Sequence, residues 1–143
     1  MARNCRFAVA VHIAAVLANN REHPATSDWI AGSVNTNPVV VRRILSALAK
    51  AGLVRSQRGS TGGSFLTREP KDISLFQLYR AVDEDEGPAL HTHPPNPDCP
   101  VGANIQAVLV DIIERAETAK EREFTKITLA DVVDSIKSRI AAA

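Results

Sequence analysis

The chain has 143 residues, of which 45% are hydrophobic and 23% charged, and its formal net charge is +1. This composition excludes a disordered chain, and the length suits one domain, or one domain with an attached oligomerisation element. No run of about 18 apolar residues or signal-peptide cleavage pattern is present, which argues against a membrane span and predicts a cytoplasmic protein.

Hydrophobic periodicity predicts three helices in the first third of the chain. They cover residues 3–19, 27–31 and 38–51. Thr26 or Ser27 is the expected N-cap of the second helix, which Gly32 ends. Asn37 is the expected N-cap of the third helix, because Pro38 suits the first helical position.

After Gly52 the hydrophobic period changes from helical to extended. Two short strands are predicted at residues 53–57 and 64–67, joined by the glycine-rich segment 58–63. A fourth helix is predicted at residues 71–83, capped by Asp72 or Ser74. The order is therefore three helices, a hairpin and a fourth helix.

The C-terminal part begins with a segment rich in proline and acidic residues at 84–100, which predicts a loop. A long helix follows from Val101 to about Phe124, and its continuous apolar stripe needs a partner. Thr128 caps a last helix, which we expect to fold back onto the long helix.

Three helices followed by a glycine-tipped hairpin are typical of a winged helix-turn-helix. The predicted fold class is mainly α with a small β wing at about residues 53–67. The winged helix-turn-helix occupies residues 1–83, a sensing loop or linker 84–100, and a dimerisation helix with the C-terminal helix 101–143.

In this arrangement the third helix enters the major groove of DNA. Its candidate contact residues are Val39, Val40, Arg42, Arg43 and Ser46. Arg58 and Gly59 lie at the hairpin tip, where the wing meets the minor groove. A winged helix that binds another protein, with its arginines merely solvated, is the alternative.

The distribution of charge favours nucleic acid. Residues 1–70 carry nine Lys and Arg against three Asp and Glu, whereas residues 71–143 carry eight against thirteen. A basic half beside an acidic half indicates a polyanion-binding surface joined to a part with another role. Ordinary variation of surface charge along a sequence is the alternative.

Four segments of the chain resemble the bacterial regulators typified by IscR, NsrR and CymR. They are NPVVVRRIL at 37–45, AGLV at 51–54, RGSTGG at 58–63, and ISL with YRAV within 73–82. The resemblance implies a homodimeric transcription factor, often a repressor, whose long helix forms the dimer interface and whose winged helices bind a palindromic operator. It also implies that Val39, Arg42, Arg43 and Arg58 face the DNA.

No enzymatic motif accompanies these features. The sequence lacks a nucleophile elbow and an HExxH motif, and the glycines of 59–63 lack the lysine and the following helix of a phosphate-binding loop. We therefore expect the protein not to be an enzyme.

The loop at 84–100 contains His91, His93 and Cys99 as candidate metal ligands. Iron–sulfur members of the resembled family place three cysteines here, whereas this loop has one, so we predict neither a cluster nor another cofactor. A mononuclear metal site formed by these residues is an alternative, but their spacing shows no obvious tetrahedral arrangement of ligands. Histidines exposed to solvent are the simpler interpretation.

Cys99 precedes Pro100, which places its thiol at the expected N-cap of the long helix. Free amides and the helix dipole there stabilise a thiolate, although the neighbouring Asp98 opposes this. We hypothesise that oxidation of Cys99 moves the wings relative to each other, the product being a sulfenic acid, a mixed disulfide or a disulfide with Cys5 of the other subunit. One alternative is that the Cys99 thiol is unreactive. Another is that a metal, a small ligand or an enzyme partner controls the protein.

Two further side chains carry structural expectations. His12 is expected to be an interior histidine with a satisfied hydrogen bond. Trp29 is expected to pack under the third helix rather than to stack on a ligand.

Overall fold

The computed structural model describes residues 5–83 and 87–143, in six helices and one two-stranded sheet. The helices are α1 (Arg6–Asn19), α2 (Ser27–Val34), α3 (Pro38–Lys50), α4 (Leu75–Val82), α5 (Pro100–Lys126) and α6 (Leu129–Ala142). The strands β1 (Val54–Gln57) and β2 (Gly63–Leu66) separate α3 from α4. The predicted class, helical with a small wing, is confirmed. The predicted start of the first helix at Arg3 lies outside the described residues.

The second helix is longer than the sequence suggested. Thr26 caps it as expected, its hydroxyl accepting a hydrogen bond from the Trp29 N–H at 3.1 Å. Gly32 does not end the helix, which continues to Val34. It ends because Asn35 adopts a left-handed conformation, with φ of 62°, and its N–H donates to Ala31 O at 2.8 Å.

The third helix has the predicted boundaries to within one residue. The Asn37 side chain accepts a hydrogen bond from the Val40 N–H at 3.1 Å, and Pro38 occupies the first turn, where its missing N–H is harmless. At the other end Gly52 has a φ of 77°, a conformation that glycine adopts without strain. Both ends of α3 are therefore set by local sequence.

The fourth helix begins later than predicted. Residues Pro70–Asp72 form a separate 3₁₀ turn, so Asp72 does not cap α4. Ser74 and Gln77 form a reciprocal capping box that starts the helix at Leu75.

The last helix packs in a place that the sequence did not indicate. We predicted that it packs on the long helix, but α6 packs against α1 and the 3₁₀ turn. Leu129 is fully buried in the core, and its N–H donates to Ile73 O at 2.8 Å. Helix α6 therefore contributes to the winged-helix core, whereas the sequence suggested that it belongs with the long helix.

The described chain divides into two compact units. One comprises the described residues up to Asp83 together with Phe124–Ala143, and the other the described residues within 84–123. Phe124 belongs to the first unit because its ring stacks on Phe7 at 5.1 Å between centroids. None of the helices in the described residues has the length and apolar character needed to span a membrane.

Candidate nucleic-acid interface

Helix α3 has one buried and one exposed face. Val41, Ile44, Leu45 and Leu48 are buried in the core of the first unit. The opposite face exposes Arg42, Arg43 and Ser46, and Val39 is 48% exposed. Val40, predicted to be exposed, is only half-exposed. The helix is thus held by its apolar stripe while its other face is free to enter a groove.

Two arginines on this face have no partner among the described residues. Arg42 and Arg43 are exposed, and neither forms a hydrogen bond or an ion pair with any described residue. Arg21, by contrast, forms an ion pair with Glu69 at 3.2 Å. The positive charge of α3 is therefore available to an external anion, and the guanidinium fork suits phosphate or a guanine edge.

The wing is an antiparallel hairpin in which Val54 pairs with Leu66 and Gln57 with Gly63. At its tip Gly59 has a φ of 105°, and its carbonyl accepts a hydrogen bond from the Gly62 N–H at 3.0 Å. A side chain at position 62 would collide with the carbonyl oxygen of Gln57. The glycines therefore allow a narrow tip, and the predicted contact residue Arg58 stands on it, exposed and without a described partner.

The wing is attached to the start of α2. Ala25 and Ser64 form an isolated antiparallel bridge next to the two-stranded sheet. A Cβ atom on Gly63 would lie 2.6 Å from the Ala25 carbonyl oxygen. Glycine at position 63 therefore permits the close approach that joins the wing to the helix-turn-helix.

The outer face of the wing carries a residue that the sequence analysis missed. Arg55 lies opposite Phe65 in the hairpin register, and its guanidinium is 4.4 Å from the centroid of the Phe65 ring. Stacking on a ring orients an exposed arginine. The alternation of side chains in the two predicted strands was the signal that could have revealed this pair.

Cys99 lies at the start of α5, in the second unit. Its carbonyl accepts a hydrogen bond from the Ala103 N–H at 2.8 Å, as expected of an N-cap residue. The backbone N–H groups of Gly102 and Val101 donate to the thiol and lower the pKa of Cys99 below its ordinary value, while slight desolvation opposes them. Cys99 and Cys5 are both free and exposed in the single chain.

The second unit also presents an apolar helix face. No described residue of α5 is buried. Val108 is 52% and Ile112 50% exposed, and they lie one turn apart. An amphipathic helix with its apolar stripe in water lacks a partner within its own unit.

Two sequence expectations about the first unit have different outcomes. His12 has a hydrogen-bond partner as expected, because its Nε2 lies 2.9 Å from Ser33 Oγ, but the hydrogen bond is exposed and the half-buried His12 is not the interior residue that we predicted. Trp29 does not pack under α3, because the side chain is 53% exposed. The expectation was wrong since Trp29 lies on the face of α2 that is turned away from the buried Ile30 and Ala31.

The comparison with protein families gives one match over almost the whole chain. Residues 3–135 match the Rrf2 family, described as iron-dependent transcriptional regulators. YwnA of Bacillus subtilis, named as an HTH-type transcriptional regulator, is 44% identical over 134 residues, which cover 93% of this chain and 98% of YwnA.

Solved structures show the same fold. A structure titled as a DNA-binding protein is 40% identical, has a TM-score of 0.70, and is matched over 89% of this chain and 97% of its own. IscR of T. potens is 24% identical with a TM-score of 0.72, over 95% of this chain and 88% of its own, which supports the fold alone. The named relatives are transcriptional regulators rather than enzymes, as the sequence predicted.

The family description names iron, and the donor set of this chain does not fit an iron–sulfur cluster. Within residues 5–83 and 87–143, no three His, Cys, Asp or Glu side chains are grouped closely enough to hold a metal ion. Iron–sulfur clusters are held mainly by cysteine thiolates, commonly four of them, whereas this chain has two cysteines. His91 and His93 are exposed in the loop. The expectation that no cofactor is bound stays a prediction.

Proposed function

This chain belongs to the Rrf2 family of DNA-binding transcriptional regulators, and from that premise we propose that it is a homodimeric repressor that binds a palindromic operator. The observation that carries the proposal is a set of exposed arginines that have no partner within residues 5–83 and 87–143: Arg42 and Arg43 on α3 and Arg58 on the wing. Such arginines gain phosphate or base contacts without breaking an existing ion pair.

Base recognition falls to α3. Its exposed face enters the major groove, where Arg42 and Arg43 contact phosphates or donate two hydrogen bonds to O6 and N7 of guanine. Val39 offers an apolar contact suited to a thymine methyl group. Ser46 lies one turn beyond Arg42 on the exposed face of α3, where its hydroxyl can donate a hydrogen bond to the phosphate backbone.

The wing contacts the adjacent minor groove. Arg58 enters it from the tip, because the negative potential of a narrow minor groove attracts a guanidinium. Gly59 lets the backbone come close to the sugar–phosphate surface, since it has no side chain to hold the two apart. The bridge between Ala25 and Ser64 keeps this tip at a fixed distance from the helix-turn-helix.

Dimerisation falls to the exposed apolar face of α5, which includes Val108 and Ile112. A second copy packed on this face with two-fold symmetry would bury both stripes. Two winged helices related by that axis match half-sites about one helical turn, ~34 Å, apart. A dimer bound in this way represses by occupying DNA that the transcription machinery needs.

We propose that Cys99 is the switch. Its thiolate attacks one oxygen of hydrogen peroxide, the O–O bond breaks, and a sulfenic acid forms while hydroxide leaves and becomes water. The thiolate of Cys5 from the partner subunit then forms the S–S bond and displaces the sulfenic oxygen as a second water. The support is the exposed thiol with two backbone donors at the start of α5.

The test uses a duplex enriched from a randomised DNA library by the reduced protein. Fluorescence anisotropy then compares the unmodified protein with R42A/R43A and with R139A, which removes an exposed arginine from α6. We expect the double variant to bind at least tenfold more weakly and R139A to bind normally. Equal affinities for all three proteins would contradict the assignment of α3.

The proposed switch is tested by repeating the anisotropy measurement after treatment with hydrogen peroxide. If DNA binding is unchanged, Cys99 is not the switch, and control by a ligand, a metal or a protein partner is favoured.

A further inference from the structure

A cavity on the first unit plays no part in the proposed DNA contacts. It has a volume of about 310 Å³ and is bounded by α1, α2 and α6. This is near the lower end of the ~300–1,000 Å³ range of small-molecule sites. Its walls are mainly apolar, with Trp29, Val133 and Ile136 among them.

The apolar walls are unusually open to water. Trp29 is 53% exposed, Ile136 44% and Ile140 70%, and all three line the cavity. An isolated exposed apolar residue needs no explanation, but three around one concave surface indicate a place where an apolar group is bound. The indole of Trp29 also offers a flat face for stacking against an aromatic ring.

The polar groups of the cavity are neutral or positive. His12 and Ser33 form a hydrogen-bonded pair on its wall, and Lys137 is the one lysine among the described residues that line it. No aspartate or glutamate is among the described residues that line it. Lys137 has no hydrogen bond or ion pair with a described residue. The cavity therefore combines an apolar surface with the positive charge of Lys137, which no described residue neutralises.

We propose that this cavity binds a small aromatic carboxylate, with the ring against Trp29 and the carboxylate next to Lys137. The ring buries the exposed apolar surface of Trp29 and Ile136, and the carboxylate supplies the anion that the lining lacks. A purely aliphatic or cationic ligand would leave one of these two features unused.

Binding here acts on the regulator through α2, and this part of the inference rests on the proposed function. Trp29 lies on α2, and the three residues 35–37 separate α2 from α3. Helices α2 and α3 pack against each other. A ligand wedged between α2 and α6 therefore shifts the equilibrium between positions of α2, to the extent that it binds one position more tightly.

The binding test uses the fluorescence of Trp29, the single tryptophan of the chain. The reduced full-length protein is titrated with 3-phenylpropionate and, in parallel, with 3-phenylpropionamide, which has the same shape without the charge. We expect saturable quenching with a shift of the emission to shorter wavelength for the carboxylate, and binding about fivefold weaker for the amide.

Two variants of α6 form the matched pair. K137Q removes the positive charge of the cavity, and R139Q removes one from the same helix outside the lining. K137Q should weaken 3-phenylpropionate about fivefold, while R139Q should leave it unchanged. Equal loss in both variants would overturn the role of Lys137, because it would show a general effect of charge.

Two outcomes would overturn the site itself. One is the absence of saturable quenching by 3-phenylpropionate up to millimolar concentrations. The other is Trp29 emission that depends on protein concentration and not on the carboxylate, which would mean that a second copy of the chain covers the cavity. Neither result bears on DNA binding, so failure of this site is distinguishable from failure of the proposed function.

The regulatory part is tested separately by operator anisotropy with and without saturating 3-phenylpropionate. An affinity change of at least threefold that K137Q diminishes supports the coupling. Quenching without any change in operator affinity would overturn the coupling while leaving the binding site in place.

Discussion

Ala25 and Ser64 exchange two backbone hydrogen bonds. The Ala25 N–H donates to Ser64 O at 3.0 Å, and the Ser64 N–H donates to Ala25 O at 2.8 Å. Ala25 lies just before α2 and Ser64 lies in β2, so this pair fixes the wing to the helix-turn-helix. The bridge therefore links the two elements that we propose contact DNA, and local changes at this bridge should alter both stability and operator affinity.

Replacing Gly63 by alanine should break this bridge. The new Cβ would meet the Ala25 backbone at 2.6 Å, and a shift of either strand sacrifices a hydrogen bond. We expect a loss of about 1–3 kcal/mol in the free energy of unfolding, measured with urea. G32A is the control, because nothing lies within 4 Å of its Cβ and alanine favours a helix. A G63A protein as stable as the parent would contradict the close approach.

The cap of α3 gives a second prediction. N37A removes the acceptor of the Val40 N–H and should lower the free energy of unfolding by about 1 kcal/mol. N37S keeps an oxygen acceptor and should retain most of that stability. Thermal unfolding followed by circular dichroism compares the three proteins. Equal melting temperatures would show that Asn37 does not stabilise α3.

The role of the wing is tested by R58A. Arg58 is exposed and has no described partner, so the variant should fold with unchanged stability. Operator affinity should fall by about 1–3 kcal/mol, and if the contact is to phosphate, the slope of log affinity against log salt should decrease by about 1. Unchanged affinity across the salt series would remove the wing tip from the interface.

The dimer interface is tested by a charge on α5. V108E places a carboxylate in the apolar stripe, whereas A107E places the same group at an exposed position on the opposite side of the helix. Sedimentation should show a dimer for A107E and dissociation toward monomer for V108E. A V108E protein that stays dimeric at low micromolar concentration would assign the interface to another surface.

The lowered pKa of Cys99 predicts how its oxidation depends on pH. The two backbone donors favour the thiolate, so in a C5S protein the thiol should ionise below the ordinary pH for cysteine. The rate of peroxide oxidation should be constant above that pKa and fall as the pH drops through it. Ultraviolet absorbance of the thiolate gives the pKa independently. A thiolate that forms only at the ordinary pH, or above it, would contradict the cap geometry.

Local signals in the sequence predicted α3 and the wing, the two elements that we propose contact DNA. Asn37 and Pro38 mark the start of α3, because the Asn37 side chain caps the helix and the φ angle of proline suits the first turn. Gly52 marks the end, because glycine adopts a left-handed conformation without strain. The glycines of the hairpin mark the wing for the same reason. The exposure of Arg42 and Arg43 follows from the helical spacing of the buried Val41, Ile44 and Leu48.

The packing partner of a helix and the burial of a single side chain could not be predicted from such local signals. The apolar stripe of α6 shows that the helix has a partner, but not that the partner is α1. Trp29 was expected in the core because tryptophan usually buries most of its surface. The end of α2 was misplaced because Gly32 resembles a stop signal, while the left-handed Asn35 three residues later provides the cap.

We propose that a dimer presents α3 and the wing to two symmetric half-sites. The most direct test of this proposal is hydroxyl-radical footprinting of the reduced protein on a duplex enriched from a randomised library. We predict two equivalent protected patches related by two-fold symmetry, about one helical turn apart, with R58A losing protection only at their minor-groove edges. No enrichment over random DNA, or a single protected patch without symmetry, would contradict binding of a symmetric dimer to two half-sites.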